Sequence, residues 1–218
     1  MLDCPMPHRH VPTNAAQAFF SWLMGLFGWK AILEPPSAKK YIVVGYPHTS
    51  NWDFVPAIAW IWSTGLHGSF VGKAELFKGI MKPIMTWLGG IPVDRDKGTN
   101  FVQKVAAIFA ARDELFLIIA AEGSRSKAEY WKSGFYYMAL EANVPLALAY
   151  MDWKRKEIGI GAYFMPTGNL EADFLAIQGF FADVTGRDPS KQSPIRLKPK
   201  EAASEQAPKE APLEPPIP

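Results

Sequence analysis

Cysteine is all but absent: Cys4 is the only one among 218 residues. No intrachain disulfide can form, and a zinc site built on thiolates lacks its ligands, a pattern that fits a reducing compartment. Histidine is nearly as scarce. His8, His10, His48 and His67 form no H-x-x-x-H or H-E-x-x-H pair, so no metal site is expected. A large excess of one charge is missing too. The formal net charge of +2 is too small to favour nucleic acid, and no aromatic-plus-basic stripe marks a single-strand binder. There is no internal repeat. Aromatic residues are plentiful instead: 8 Trp and 14 Phe exceed what one core needs, and Trp favours the boundary between water and lipid. Hydrophobic residues at 49% against 20% charged describe a globular chain, one domain with appendages. Lys200 and Lys209 against Glu201, Glu205, Glu210 and Glu214 leave the last twenty residues at −2 and the rest at +4, a mild bias toward anionic surfaces.

Residues 15–33 open the organised part of the chain. Their core, AAQAFFSWLMGLFGW, carries no charge and is apolar around most of a helical circumference. Gln17, Ser21, Gly25 and Gly28 form one narrow small or polar stripe. A helix over residues 15–29 reaches about 22 Å, short of the ~30 Å hydrocarbon core of a bilayer. A signal peptide and a buried core helix are competing readings; a weak basic start and no A-x-A pattern speak against the first. The favoured expectation is a helix lying in, or dipping into, one leaflet, with Trp22, Phe27 and Trp29 at the interface and Pro35 and Pro36 ending it.

Beyond it, strands and helices alternate. Residues 41–46 (YIVVGY) and 115–121 (LFLIIAA) are short continuous apolar runs and read as buried strands; 69–72, 91–93, 144–151 and 158–164 read as further strands. Residues 51–64, 132–143 and 171–185 read as helices, and 74–88 mix helical signals with an interruption at Pro83. Residues 100–112 form a clear amphipathic helix that Asn100 can cap. The basic turn Lys154-Arg155-Lys156 joins the last two strands as a hairpin. This alternation predicts an α/β fold: a mixed, mostly parallel sheet flanked by helices, with an N-terminal apolar membrane-associating helix. The expected division is 1–37 as the membrane-associating segment, 38–188 as the folded body and 189–218 as a disordered Pro/Glu-rich tail. From Pro199 onward too little apolar surface remains to fold.

The segment PHTSNWD at 47–53 lies between a buried strand and a helix, the usual place for functional groups in open α/β sheets. On one regular helix His48 and Asp53 would point about 140° apart. If His48 stays in the loop and Asp53 enters the first helical turn, the carboxylate can turn back to the imidazole, fix its tautomer and make it a general base. A purely structural reading is also open, with Ser50 as N-cap and Asp53 as a first-turn acid favoured by the helix dipole. Taken alone, the segment leans slightly to the second. AAEGSRS at 120–126 follows the strongest strand, with Gly123 to turn the chain and Arg125 at the same sheet edge; taken alone, it reads more readily as a plain polar turn. GGIPVDR at 89–95 presents Arg95, able to bind a phosphate or to pair with Asp94. Val144-Pro145-Leu146 begins a strand and carries no chemistry of its own.

Together and in this order, the four pieces resemble the lysophospholipid (glycerolipid) acyltransferase family, whose members acylate lysophosphatidic acid and related lipids. That family carries a H-x-x-x-x-D motif, a Gly-and-Arg motif, an E-G-T-R-type motif and a V-P-type motif. Here they look like His48–Asp53, Gly90–Arg95, Glu122-Gly123-Ser124-Arg125-Ser126 and Val144-Pro145-Leu146, a resemblance spanning about residues 40–150. It implies that His48 is the base and Asp53 its orienting partner, with no covalent intermediate and no cofactor. It further implies that Arg95, Glu122, Gly123 and Arg125 bind the acceptor's phosphate. Lys73, in GKAEL, looks like a further basic contact of the family, or is simply an exposed lysine at a helix start. The implied acyl donor is acyl-CoA or acyl-carrier protein, the implied partners are membrane lipids rather than nucleic acid, and the implied setting is the cytoplasmic face of a membrane. The alternatives are an acyltransferase for a phosphate-free acceptor such as a lyso-aminolipid, and a catalytically silent membrane-binding module.

Overall fold

A computed structural model of the chain describes residues 13–34, 36, 38–66, 69–73, 77–87, 90–93, 101–122 and 127–199. Its strands are β1 (Lys30–Leu33), β2 (Lys40–Tyr46), β3 (Ser69–Lys73), β4 (Gly90–Val93), β5 (Leu115–Ala120), β6 (Leu146–Asp152) and β7 (Glu157–Phe164). Its helices are α1 (Ala15–Leu26), α2 (Phe54–Thr64), α3 (Met81–Trp87), α4 (Phe101–Ala110), α5 (Gly134–Ala142) and α6 (Leu170–Phe181). The strands form one sheet in the order β1-β7-β6-β2-β5-β3-β4. All neighbouring pairs are parallel except the β6–β7 hairpin, whose basic turn is held by Asp152 Oδ1 accepting the Lys154 and Arg155 N–H groups at 2.9 Å each. This is the mixed, mostly parallel α/β sheet that the alternation predicts.

The apolar run of β2 follows from its place at the centre, between β5 and β6. Alternate side chains point to opposite faces, and both faces are covered. Ile42 and Val44 join a core with residues of α4, α5 and α6, whereas Tyr41 and Val43 join a second core with Met24 of α1 and Trp60 of α2. The β2 end, the β5 end and the start of α2 therefore converge on one edge of the sheet.

Several expectations need correction. The apolar N-terminal helix stops at Leu26, far short of the two prolines. Gly28, at φ +77°, turns the chain; its N–H donates to Gly25 C=O and the Trp29 N–H donates back to Met24 C=O, both at 2.9 Å. This is a Schellman closure, and it packs Trp29 against Met24 in the core. Trp29 is thus buried, while Trp22 and Phe27 are exposed. Residues 30–33, expected to lie in the membrane-associating segment, are an edge strand paired with β7. The approach there is so close that a Cβ on Gly159 would lie 1.8 Å from the Ile32 carbonyl oxygen. Among the described residues, no helix is long and apolar enough to cross a membrane.

Residues 189–199, expected to belong to the tail, lie against the body. Pro189–Lys191 form a turn of 3-10 helix, Ser193 is buried, and Ile195 and Leu197 pack on the core beneath α6. The Trp131 N–H donates to Arg196 C=O at 2.9 Å, fastening the strap. The apolar pair Ile195 and Leu197 supplies the burial that composition over the whole tail obscures. Residues 200–218 and the Asn100 cap lie outside the described residues.

Candidate active site

His48 stays in the loop after β2, and Ser50 caps a short 3-10 turn, Asn51–Asp53, that runs directly into α2. Ser50 Oγ accepts the Trp52 N–H at 3.1 Å, and Asp53 Oδ2 accepts the Ser50 N–H at 2.8 Å. The capping role considered for these residues is therefore present. It coexists with the other one: the same Oδ2 lies 3.2 Å from His48 Nδ1 and also accepts the Thr49 N–H at 2.9 Å. The cap turns the carboxylate back along the chain, which is what brings it to the imidazole.

Asp53 is almost fully buried, and its second oxygen, Oδ1, accepts the indole Nε1–H of Trp153 at 2.9 Å. Burial alone would push this carboxyl up, but hydrogen bonds from His48, the Ser50 N–H and Trp153 outweigh it and hold the group below its ordinary 3.8. An ionised carboxylate only accepts, so His48 Nδ1 must carry its proton and donate it. The lone pair of Nε2 is then free. His48 is about one-third exposed and borders a cavity of about 530 Å³ between α2 and the sheet. Val43, Gly45, Ala149 and Met151 supply its floor, Ala57 and Trp60 its roof. Such a base beside an apolar slot can take a proton from a hydroxyl whose parent molecule is apolar.

Glu122, expected from the resemblance at the acceptor's phosphate, joins this loop. Its Oε2 accepts the His48 N–H at 2.7 Å and its Oε1 accepts the Ser193 N–H at 3.2 Å. It is buried, and burial pushes its carboxyl above its ordinary 4.5 although the Ser193 and His48 hydrogen bonds pull the other way. With both oxygens accepting from backbone donors, it braces the His48 loop. Lys73 ends β3 opposite Val93, and only its backbone is described. Arg95, Gly123 and Arg125 lie outside the described residues.

Trp153 and Ser193 are the members that sequence reasoning missed. Ser193 C=O accepts the Tyr46 hydroxyl at 2.8 Å, and Gln192 Nε2 donates to that same hydroxyl oxygen at 3.0 Å. Nothing local announces these contacts, since Trp153 is 100 positions from Asp53 and Ser193 is 71 from Glu122.

Fold and site together define an α/β protein that sets a carboxylate-held imidazole at the rim of an apolar cavity. The acyltransferase family model matches residues 31–151, more than half of the chain, and the chain belongs to that family. Among curated proteins nothing matches. Among solved structures, the chain is similar to the 1-acyl-sn-glycerophosphate (LPA) acyltransferase PlsC from Thermotoga maritima, with a TM-score of 0.49 and 16% sequence identity over 78% of this chain and 80% of that one.

Proposed function

We propose that this acyltransferase moves a fatty acyl group from an acyl thioester, acyl-CoA or acyl-carrier protein, to the free hydroxyl of a lysophospholipid, with lysophosphatidic acid as acceptor and phosphatidic acid as product. The observation that carries this reading is the His48 Nδ1–Asp53 Oδ2 contact at 3.2 Å beside the apolar cavity. Nε2 takes the proton of the acceptor hydroxyl as its oxygen attacks the thioester carbonyl carbon. The C–S bond then breaks, and the leaving thiolate recovers the proton from the imidazolium, so no acyl-enzyme forms. The cavity, within the ~300–1,000 Å³ range of ligand pockets, holds the acyl chain. Lys73, Arg95, Glu122, Gly123 and Arg125 form the site of the acceptor's phosphate in this reading, and no cofactor takes part.

In the same reading the enzyme works at the cytoplasmic face of a membrane. Support comes from apolar side chains left facing solvent: Phe19, Trp22, Leu26 and Phe27 at α1, and Phe54 and Trp62 on α2, with the Phe20 and Trp62 rings 5.5 Å apart linking the two helices. Such a surface suits burial at a lipid interface. The chemistry is tested by His48→Ala, expected to lower kcat about 10²–10⁴-fold with little change in Tm. Asp53→Asn should be similarly severe, because the amide can no longer fix the tautomer. Transfer above half the wild-type rate in His48→Ala sinks the mechanism.

A further inference from the structure

Three indoles and two cations form a continuous stack beside the His48–Asp53 pair. Trp29 and Trp153 meet edge to face with centroids 5.0 Å apart. Lys156 Nζ lies 5.3 Å from the Trp29 ring and 5.2 Å from that of Trp153. The Arg187 guanidinium carbon lies 4.8 Å from the Trp153 ring and 5.3 Å from that of Trp52. Trp153 is the ring whose N–H holds Asp53, and Trp52 is Asp53's neighbour in the chain. One indole thus separates Arg187 from the carboxylate.

The backbone that carries Arg187 is seated on the His48 loop. The Asp188 N–H donates to Thr49 Oγ1 at 3.2 Å, and a Cβ on Gly186 would come within 2.9 Å of Thr49 Cγ2 and 3.1 Å of Pro47 Cγ. Nearby carboxylates are engaged with other cations. Asp188 pairs with Lys191 at 3.0 Å, and Asp152 and Glu157 pair with Arg155 at 2.9 and 3.5 Å. Among the described residues neither Arg187 nor Lys156 makes an ion pair. Both positive charges are held by ring faces instead, which stabilise a cation and leave its N–H donors available. Arg187 is exposed, always charged, and carries a planar fork that matches a phosphate bidentately.

We propose that Arg187, propped on Trp52 and Trp153 with Lys156 against the same Trp153 ring, is an anchor for a substrate phosphate at the rim of the site. It lies beyond the residues that the family model matches. The inference rests on the acyl-transfer reading, in which two substrates bring phosphoryl oxygens: the pantetheine-bearing carrier of the acyl donor, and the headgroup of the acceptor. Arg187 recognises the chemistry they share, and binding experiments separate the two sources.

The test is a pair of titrations on the full-length wild type, Arg187→Gln and Arg187→Lys, one with coenzyme A and one with lysophosphatidic acid, followed by tryptophan fluorescence. Steady-state KM values for palmitoyl-CoA and lysophosphatidic acid are measured in parallel. Arg187→Gln should weaken one of the two ligands roughly 10- to 100-fold, the worth of a charge-assisted hydrogen bond, with the matching KM rising and kcat within about twofold. Loss for coenzyme A assigns the anchor to the donor, and loss for lysophosphatidic acid assigns it to the acceptor. Arg187→Lys, which keeps the charge without the fork, should fall between. Unchanged affinity for both ligands in an Arg187→Gln variant with wild-type Tm overturns the anchor, as does a drop in kcat alone. A wild type that binds either ligand in an Arg187-dependent way but transfers no acyl group overturns the functional reading and leaves the anchor standing.

Discussion

The two faces of the sheet share β2 residues in strict alternation, yet they are filled differently. Under α4, α5 and α6 the space is taken by fully buried rings: Phe109, Trp131, Phe135, Tyr136 and Phe181. Under α2 the strands offer Gly45 and Ala149, and a cavity of about 530 Å³ remains. Apolar space of that size forgoes packing energy, and it lies where His48, backed by the buried Asp53, reaches solvent. The first face supplies stability; the second gives up some of it, and in the proposed reading that space holds a substrate. Interiors normally close such gaps, so the contrast points to function on one side only.

The widest separation between the faces should come from one substitution on each. Phe135→Ala removes a ring from the filled side and should cost about 3–5 kcal/mol of unfolding free energy, measured by denaturant titration. Gly45→Leu on the open side meets room, because a Cβ there has no heavy atom within 4 Å. Its stability change should stay within about 1 kcal/mol, while the preferred acyl thioester shifts to a shorter chain. Equal destabilisation by both variants would erase the distinction.

A subtler contrast lies within the open edge, between its two buried carboxylates. Asp53 is held below its ordinary 3.8, so the stability it contributes is present above 3.8 and is lost as the pH falls through the lower folded value. Glu122 is held above its ordinary 4.5, so its contribution is complete below 4.5 and is lost as the pH rises through the folded value. Asp53→Asn should therefore flatten the acid limb of a Tm-against-pH profile below 3.8. Glu122→Gln should flatten the profile above 4.5. Parallel profiles for wild type and both variants would show that the two groups are not opposed.

The smallest effect on stability, and a large one on location, is expected at α1. Trp22, Leu26 and Phe27 are all more than half exposed. Replacing the three by serine should leave the unfolding free energy within about 0.5 kcal/mol, while the protein no longer floats with anionic phospholipid vesicles. Unchanged flotation would mean that this surface does not meet lipid. Substitution is the cleaner route, since removing residues 1–36 would also strip β1 from the sheet.

Most elements are legible in the chain because their signals are local. The runs at β2 and β5 are apolar throughout since each is covered on both faces, and α4 shows its helical period because one side of it packs on the core. The β1 strand was hidden by its neighbourhood: four residues, three of them apolar, directly after an uncharged apolar segment read as its continuation, and only the Gly28 closure and the pairing with β7 separate them. The 189–199 strap was hidden for the opposite reason, since its prolines and lysines resemble the tail that follows, while Gln192, Ser193, Ile195 and Leu197 are drawn inward.

The same division runs through the site. Spacing within seven residues determined that His48 could stay in a loop while Asp53 entered the first turn of a helix, because capping and backbone geometry act over a few positions. That the carboxylate also receives an indole N–H from Trp153, that Glu122 holds the His48 backbone, and that Arg187 stacks beside both was decided by tertiary structure. Those contacts depend on the parallel pairing of β2 with β5 and β6, which brings distant chain ends to one edge. Hydrogen bonds and ring contacts of that kind leave no period and no spacing for the sequence to display.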